Sequence, residues 1–314
     1  MLPTAIMFPG QGSQELNMGR DVAEAQSAAM DLWLLAEKRS GLALREIYWG
    51  APDAAPAPEM SDTRALQPAL TVVNISLWLA GRAALAAAPI VGAAGHSLGE
   101  FAALAAADVL SVEDAVAAVC ERGRLMADAG KAGHGMAAVI KLPLEIVEVI
   151  VDKAAKQSGA FLRIANRNSP AQYVISGEKP ALEAAAGLVK EAKGRAIPLA
   201  VSGAFHSPLM SEPANAFAKI IDGLRWSPAK FPVYPNVSGR GETDPGVLKT
   251  MLAAQMTSSV LWTDTVRGLY DAGARRFVEI GPRNVLAKLA PQNLPGKDDV
   301  IAQSAGTLAA VQAL

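Results

Sequence analysis

Ile90-Val91-Gly92-Ala93-Ala94-Gly95-His96-Ser97-Leu98-Gly99-Glu100 passes from an apolar run through a glycine-flanked serine into a helical pattern. Its first five residues follow Pro89 and have the character of a buried core strand, and a helical run starts near Glu100. A strand that passes into a helix through Gly-x-Ser-x-Gly is the pattern of a nucleophile elbow. There the serine sits on a tight, strained turn, and the small flanking glycines let strand and helix approach while the hydroxyl stands clear. The same residues also fit a plain serine at a helix N-cap, so the pattern means chemistry only with a base in reach.

Residues 5–8 form a second apolar run that ends at Pro9-Gly10-Gln11-Gly12, a strand leaving its sheet through a glycine-rich turn. Turns of this kind bring backbone N–H groups close to ligands. Helical periodicity covers 21–39 and 63–85. Between 130 and 200 the rhythm changes to strand 136–141, helix 144–156, strand 161–165, strand 172–176, helix 180–193 and strand 196–199. That βαββαβ order is the ferredoxin-like signature. Strands at 231–234 and 276–280, with helices between and after them, resume the first layer. The expectation is therefore an α/β protein: a large subdomain (1–129 and 200–314) with a mainly parallel sheet, and an inserted ferredoxin-like subdomain (130–199). The Ala/Pro-rich piece 51–58 reads as a surface loop.

Composition narrows the function classes. The 314 residues are 51% hydrophobic and carry 29 Lys plus Arg against 30 Asp plus Glu, so no overall field favours nucleic acid or an anionic membrane. The single cysteine, Cys120, makes no intramolecular disulfide, and no Cys/His cluster offers a metal site. The N-terminus lacks a secretory pattern, and no uncharged stretch reaches the roughly 20 apolar residues of a membrane span. A soluble, cytoplasmic protein is expected. Phosphate-loop, HExxH and GxGxxG patterns are absent from the sequence, which disfavours nucleotide and metal chemistry.

A serine hydroxyl needs a base, most often histidine, and there are three. His96 adjoins the serine on a sharp turn, so its side chain is expected to point away and line or support the pocket. His134, between two glycines at the entry to the insertion, reads as a solvated loop residue. His206, in Gly203-Ala204-Phe205-His206-Ser207, follows the return of the chain from the insertion and is the base by elimination. Asp108, Asp114 and Asp128 lie in the interval where a hydrolase keeps its acid, but none has a distinguishing context. A backbone carbonyl accepting from imidazole Nδ1–H would orient the ring equally well.

Six segments in order along nearly the whole chain resemble the malonyl-CoA:acyl carrier protein transacylase family. They are Phe8-Pro9-Gly10-Gln11-Gly12-Ser13-Gln14, Gly95-His96-Ser97-Leu98-Gly99-Glu100, Glu121-Arg122-Gly123-Arg124-Leu125-Met126, Asn168-Ser169-Pro170-Ala171-Gln172, Gly203-Ala204-Phe205-His206-Ser207 and Glu279-Ile280-Gly281-Pro282. The resemblance implies an α/β-hydrolase-like large subdomain and transfer of malonyl from malonyl-CoA to the phosphopantetheine thiol of acyl carrier protein, supplying fatty-acid synthesis with no permanently bound cofactor. It implies that Ser97 is acylated, that His206 is the base, and that the main-chain carbonyl of Gln255 orients His206. It assigns the oxyanion hole to the backbone N–H groups of Gln11 and Leu98. Arg122, which by itself reads as a surface helix arginine paired with Glu121 or Asp128, becomes the clamp on the malonyl carboxylate. Phe205 resembles the bulky residue that disfavours a branch at the α-carbon. Glu100 reads either as a positioning group at the elbow or as a favourable charge at a helix N-terminus.

The sequence departs from the usual family pattern at Arg283-Asn284 and at Phe101; neither is expected to touch the chemistry, and both are placed to alter the channel wall or a neighbouring contact. Rival readings are a malonyltransferase of malonate decarboxylase or of polyketide synthesis, an acyl-thioester hydrolase, and a non-catalytic carrier-binding module. An acidic carrier would need a basic patch, for which Lys153, Lys156, Arg163 and Arg167 stand close together in the sequence of the insertion.

Overall fold

The computed structural model describes residues 1–50 and 60–314, so the loop expected at 51–58 lies outside the described residues. Two sheets organise the chain. The first holds five parallel strands in the order β7-β2-β1-β8-β9: β1 (Thr4–Phe8), β2 (Ile90–Gly95), β7 (Val233–Tyr234), β8 (Arg276–Ile280) and β9 (Ile301–Ala305). The second is antiparallel, in the order β4-β5-β3-β6: β3 (His134–Ile140), β4 (Leu162–Ser169), β5 (Gln172–Glu178) and β6 (Arg195–Pro198). Its element order is the βαββαβ read from the sequence.

The parallel sheet is covered on both faces, and the alternation of side chains along β1 shows how. Ile6 and Phe8 enter the core formed with the Thr63–Gly81, Gly99–Ala106 and Val112–Asp128 helices, whereas Ala5 and Met7 enter the core formed with Trp262–Asp271 and Val285–Asn293. All five residues of β1 are buried, as a central parallel strand requires. Each large apolar side chain removed from water this way contributes roughly 1.5–3 kcal/mol. In the second sheet, Ala137, Val139, Ile164 and Ile175 pack on Val147, Val151, Ala185 and Val189 of its two helices. Met136, Ala165 and Val174 point the other way and join the main core.

Strand β4 of the antiparallel sheet is tied to the segment 257–260. Val260 N donates to Ala165 O (2.8 Å) and Arg167 N to Val260 O (2.9 Å), while Arg163 reaches Thr257 O and Ser259 Oγ. Arg163 is thus engaged within the molecule, and Arg167 pairs with Glu148 at 3.4 Å; of the expected basic patch, Lys153 and Lys156 are the exposed members.

Three sequence expectations are corrected. The helix read over 21–39 is two helices, Arg20–Ala25 and Ser27–Ser40, because Gln26 is extended (φ −134°, ψ 116°). The strand β9 was not expected: Ile301-Ala302-Gln303-Ser304-Ala305 is a partly exposed edge strand whose only large apolar residue, Ile301, points to solvent. His134 is not a loop residue but opens β3, opposite Glu178.

Candidate active site

The C-terminal ends of β1 and β2 lie side by side, with Phe8 opposite Gly95, and His96 N donates to Phe8 O (2.9 Å). The elbow and the Pro9-Gly10-Gln11-Gly12 turn therefore emerge at the same edge of the sheet, where parallel α/β folds gather their ligands. Ser97 adopts φ +52°, a left-handed conformation that costs a non-glycine residue energy and marks the strained turn. A Cβ at Gly95 would enter the Gly99 carbonyl, so strand and helix can meet here only across a glycine. The turn is held from below by Asn74 of the Thr63–Gly81 helix, whose Nδ2 donates to Pro9 O (3.0 Å).

Ser97 Oγ–H donates to His206 Nε2 across 2.8 Å, and His206 Nδ1–H donates to the main-chain oxygen of Gln255 across 3.0 Å. The Pro245–Gln255 helix ends at this residue, and carbonyls of a last helical turn have no partner further along the helix. The Nδ1–H bond leaves the Nε2 lone pair facing the serine. Burial, reinforced by the charge of Arg122, pushes the His206 imidazole down to about 3, so the ring is neutral at physiological pH and free to take a proton. His206, like Ser97, has positive φ (+57°).

Arg122 is 1% exposed and is not a surface arginine: its neighbour Arg124 makes the pairs with Glu121 and Asp128. Arg122 Nη1 donates to Gln67 Oε1 (2.6 Å), and Nη2 donates to both Gln255 Oε1 (2.8 Å) and Ser97 Oγ (3.1 Å). Its Nε is buried and, among the described residues, has no acceptor. Burial pulls the guanidinium down to about 10, against the nearby Glu100, and it remains a cation. A carboxylate entering beside the serine would find a desolvated, rigidly held fork.

The cleft is lined by Gln11, Leu98, Arg122 and His206, with Met126, Met136 and Phe205 as apolar wall. Among the described residues the amides of Gln11 and Leu98 have no hydrogen-bond acceptor. His96 turns away from Ser97, as expected, and its Nε2 meets Asn168 Oδ1 at 2.9 Å. Among the described residues no carboxylate bonds to His206 Nδ1: Asp108 pairs with Lys230, and Asp128 with Arg64 and Arg124. The ring of Phe101 lies 5.9 Å from the Arg122 guanidinium, so this departure alters a contact neighbouring the site.

Sequence reading missed Gln67 and Asn236. Gln67 is a lone amide in the apolar run Ala65-Leu66-Gln67-Pro68-Ala69-Leu70, and a polar residue at a core position is itself a signal. Asn236 follows the short strand β7, next to β2, and its Oδ1 accepts from the Ser97 amide (2.7 Å).

Residues 6–310 match the Acyl transferase domain family. A malonyl CoA-acyl carrier protein transacylase of Staphylococcus aureus is 38% identical over 294 residues, covering 92% of each chain. The chain belongs to the malonyl CoA-acyl carrier protein transacylase family. Solved structures of this transacylase family share its fold: an acyl carrier protein S-malonyltransferase from Vibrio cholerae superposes with a TM-score of 0.88 at 33% identity, covering 99% of both chains. A malonyl-transacylase in complex with a type II PKS acyl-carrier protein superposes at 0.89 with 32% identity, again covering 99% of both chains. The chain is accordingly an acyltransferase.

Proposed function

We propose that the protein moves a malonyl group from malonyl-CoA to the phosphopantetheine thiol of an acyl carrier protein, through an ester on Ser97, and so supplies fatty-acid synthesis. The observation that carries this reading is the meeting of two unlike groups at one hydroxyl. Ser97 Oγ is 2.8 Å from a neutral imidazole and 3.1 Å from a buried guanidinium, the first suited to take its proton and the second to hold a carboxylate.

In this reading Ser97 Oγ attacks the thioester carbonyl carbon while His206 Nε2 takes its proton. The N–H groups of Gln11 and Leu98 receive the oxyanion. Collapse breaks the carbon–sulfur bond, and His206 returns the proton to the departing CoA thiol. The carrier thiol then attacks the serine ester by the same steps, with its proton passing through His206 to Ser97 Oγ. Gln255 O holds the imidazole throughout, Arg122 holds the free carboxylate, and Phe205 closes the space beside the α-carbon. Residues 130–199 act as an inserted subdomain supplying the opposite wall of the cleft. The protein works in the cytoplasm without a permanent cofactor and without nucleic acid or membrane as partner. A carrier from polyketide synthesis is the second reading, favoured by the match to the solved PKS complex.

Intact-protein mass spectrometry after brief exposure to malonyl-CoA, and again after addition of phosphopantetheinylated carrier, tests the proposal. A malonyl adduct that Ser97→Ala abolishes and that passes to the carrier is the expected result. An adduct lost to water with the carrier unloaded would mean a hydrolase, and no adduct would overturn the reading.

A further inference from the structure

Ser97, His206 and Arg122 come from three separate segments, yet one buried carboxylate touches residues that hold all three. Glu100, 1% exposed, lies in the first turn of the Gly99–Ala106 helix. Its Oε2 accepts from the Asn236 main-chain N–H (2.9 Å) and from Gln255 Nε2 (2.8 Å). Asn236 in turn accepts from the Ser97 amide through Oδ1 (2.7 Å) and donates through Nδ2 to Gly95 O (2.6 Å), pinning both sides of the elbow. Gln255 donates through Nε2 to Ser97 O (3.0 Å), accepts from Arg122 Nη2 through Oε1 (2.8 Å), and accepts from His206 Nδ1 through its main-chain oxygen (3.0 Å).

The chemistry of these groups allows one arrangement. A side-chain amide has nearly the same shape when its oxygen and nitrogen exchange places, but an exchanged Gln255 would set an NH2 group against the Arg122 guanidinium, donor against donor. A carboxylate accepts only, so Glu100 selects the orientation that turns Nε2 toward itself and leaves Oε1 for Arg122. We propose that Glu100 is a positioning residue that sets the Gln255 amide, and through it the Arg122 fork, while holding Asn236 against the amide of the nucleophile. Burial raises the carboxyl to about 7, and the role survives protonation, because a proton on Oε1 leaves Oε2 able to accept both bonds. The same reasoning makes Glu100→Gln a conservative change: the fixed Asn236 N–H requires the amide oxygen at the Oε2 place, where it also meets Gln255.

The test uses two readouts on folded protein, verified by circular dichroism and thermal melting. The first is the rate at which a fluorophosphonate probe labels Ser97, which depends on no assumption about the acyl donor. The second, which rests on the proposed malonyl transfer, is the ratio of Ser97 loading from malonyl-CoA and from acetyl-CoA. Glu100→Leu, similar in size but without an acceptor, should slow labelling and lower the malonyl/acetyl ratio, each by about tenfold or more, the equivalent of a lost charge-assisted hydrogen bond. Glu100→Gln should stay within about threefold of wild type in both, the conservative rescue that the amide-orientation argument requires. Glu100→Ala serves as the second acceptor-free variant should the leucine protein not fold.

Unchanged labelling and an unchanged ratio in a folded acceptor-free variant would overturn the proposal, as would a Glu100→Gln protein as impaired as that variant. If wild type loads no malonyl, the functional reading fails, and the labelling rates still decide whether Glu100 positions the nucleophile.

Discussion

Arg122 Nη2 stands 3.1 Å from Ser97 Oγ, so the group suited to hold a carboxylate and the atom suited to carry the acyl chain are already in hydrogen-bond contact. An ester at Ser97 would place the far carboxylate of a malonyl group within the sweep of the same guanidinium. Arg122→Ala should lower kcat/KM for malonyl-CoA by about a hundredfold or more, since it strips the partner from a buried charge. The same variant should gain on acetyl-CoA relative to malonyl-CoA. Steady-state rates with both donors decide the matter, and an unchanged donor preference would remove Arg122 from the acyl site.

The imidazole gives a pH signature. His206 is pushed down to about 3, whereas an unfolded chain takes this proton at its ordinary value near 6.5. Below 6.5 the unfolded state therefore binds more protons at this residue, and its contribution to stability falls as the pH drops toward 3. Glu100, pushed up to about 7, acts in the opposite sense between its ordinary value and 7, because there the native state holds the extra proton. In Glu100→Gln protein only the imidazole remains of these two groups. Ser97 loading at low malonyl-CoA should then run flat from pH 7 down to about 5. An acid limb near 6.5 in that variant would mean that His206 titrates as an exposed histidine.

Phe205 is buried beside His206, and its ring packs over Gly203. Replacing it with alanine should open the wall beside the α-carbon. The expected outcome is a rise of about ten- to a hundredfold in the methylmalonyl/malonyl preference, the range that one methyl group commands in an apolar pocket. Competition between the two CoA esters, read by mass at Ser97, provides the measurement.

Gly95 carries the close approach of strand and helix. Gly95→Ala should lower unfolding stability by at least about 2 kcal/mol, because the added methyl meets the Gly99 main chain rather than a movable side chain. Urea denaturation gives the figure, and a variant as stable as wild type would show that the elbow has slack.

Much of this arrangement was legible because it is written in local patterns. β1, β2 and β8 are short apolar runs ended by turn residues, and the βαββαβ order emerges from periodicity alone. Ser97 announces itself through its glycines, and His206 by elimination among three histidines. Arg122 could not be read this way: in the helix sequence it resembles Arg124, and only tertiary packing buries one and leaves the other on the surface with Glu121 and Asp128. Asn236 and Gln67 were invisible for a related reason. Each belongs to the site through a contact across 139 and 55 positions of chain, and an amide has no local motif. The strand β9 escaped notice because an edge strand needs few apolar residues to pair.

The oxygen that accepts from His206 Nδ1 belongs to the main chain of Gln255. Every sense codon at position 255 specifies a residue with that same oxygen. Evolution can move this acceptor but has no single-residue way to delete it, and side-chain scanning will record the loss of the amide while leaving the acceptor in place. The orienting half of the histidine's environment is thus inherited with the polypeptide itself, protected from the substitutions that erase an aspartate in triads built from three side chains.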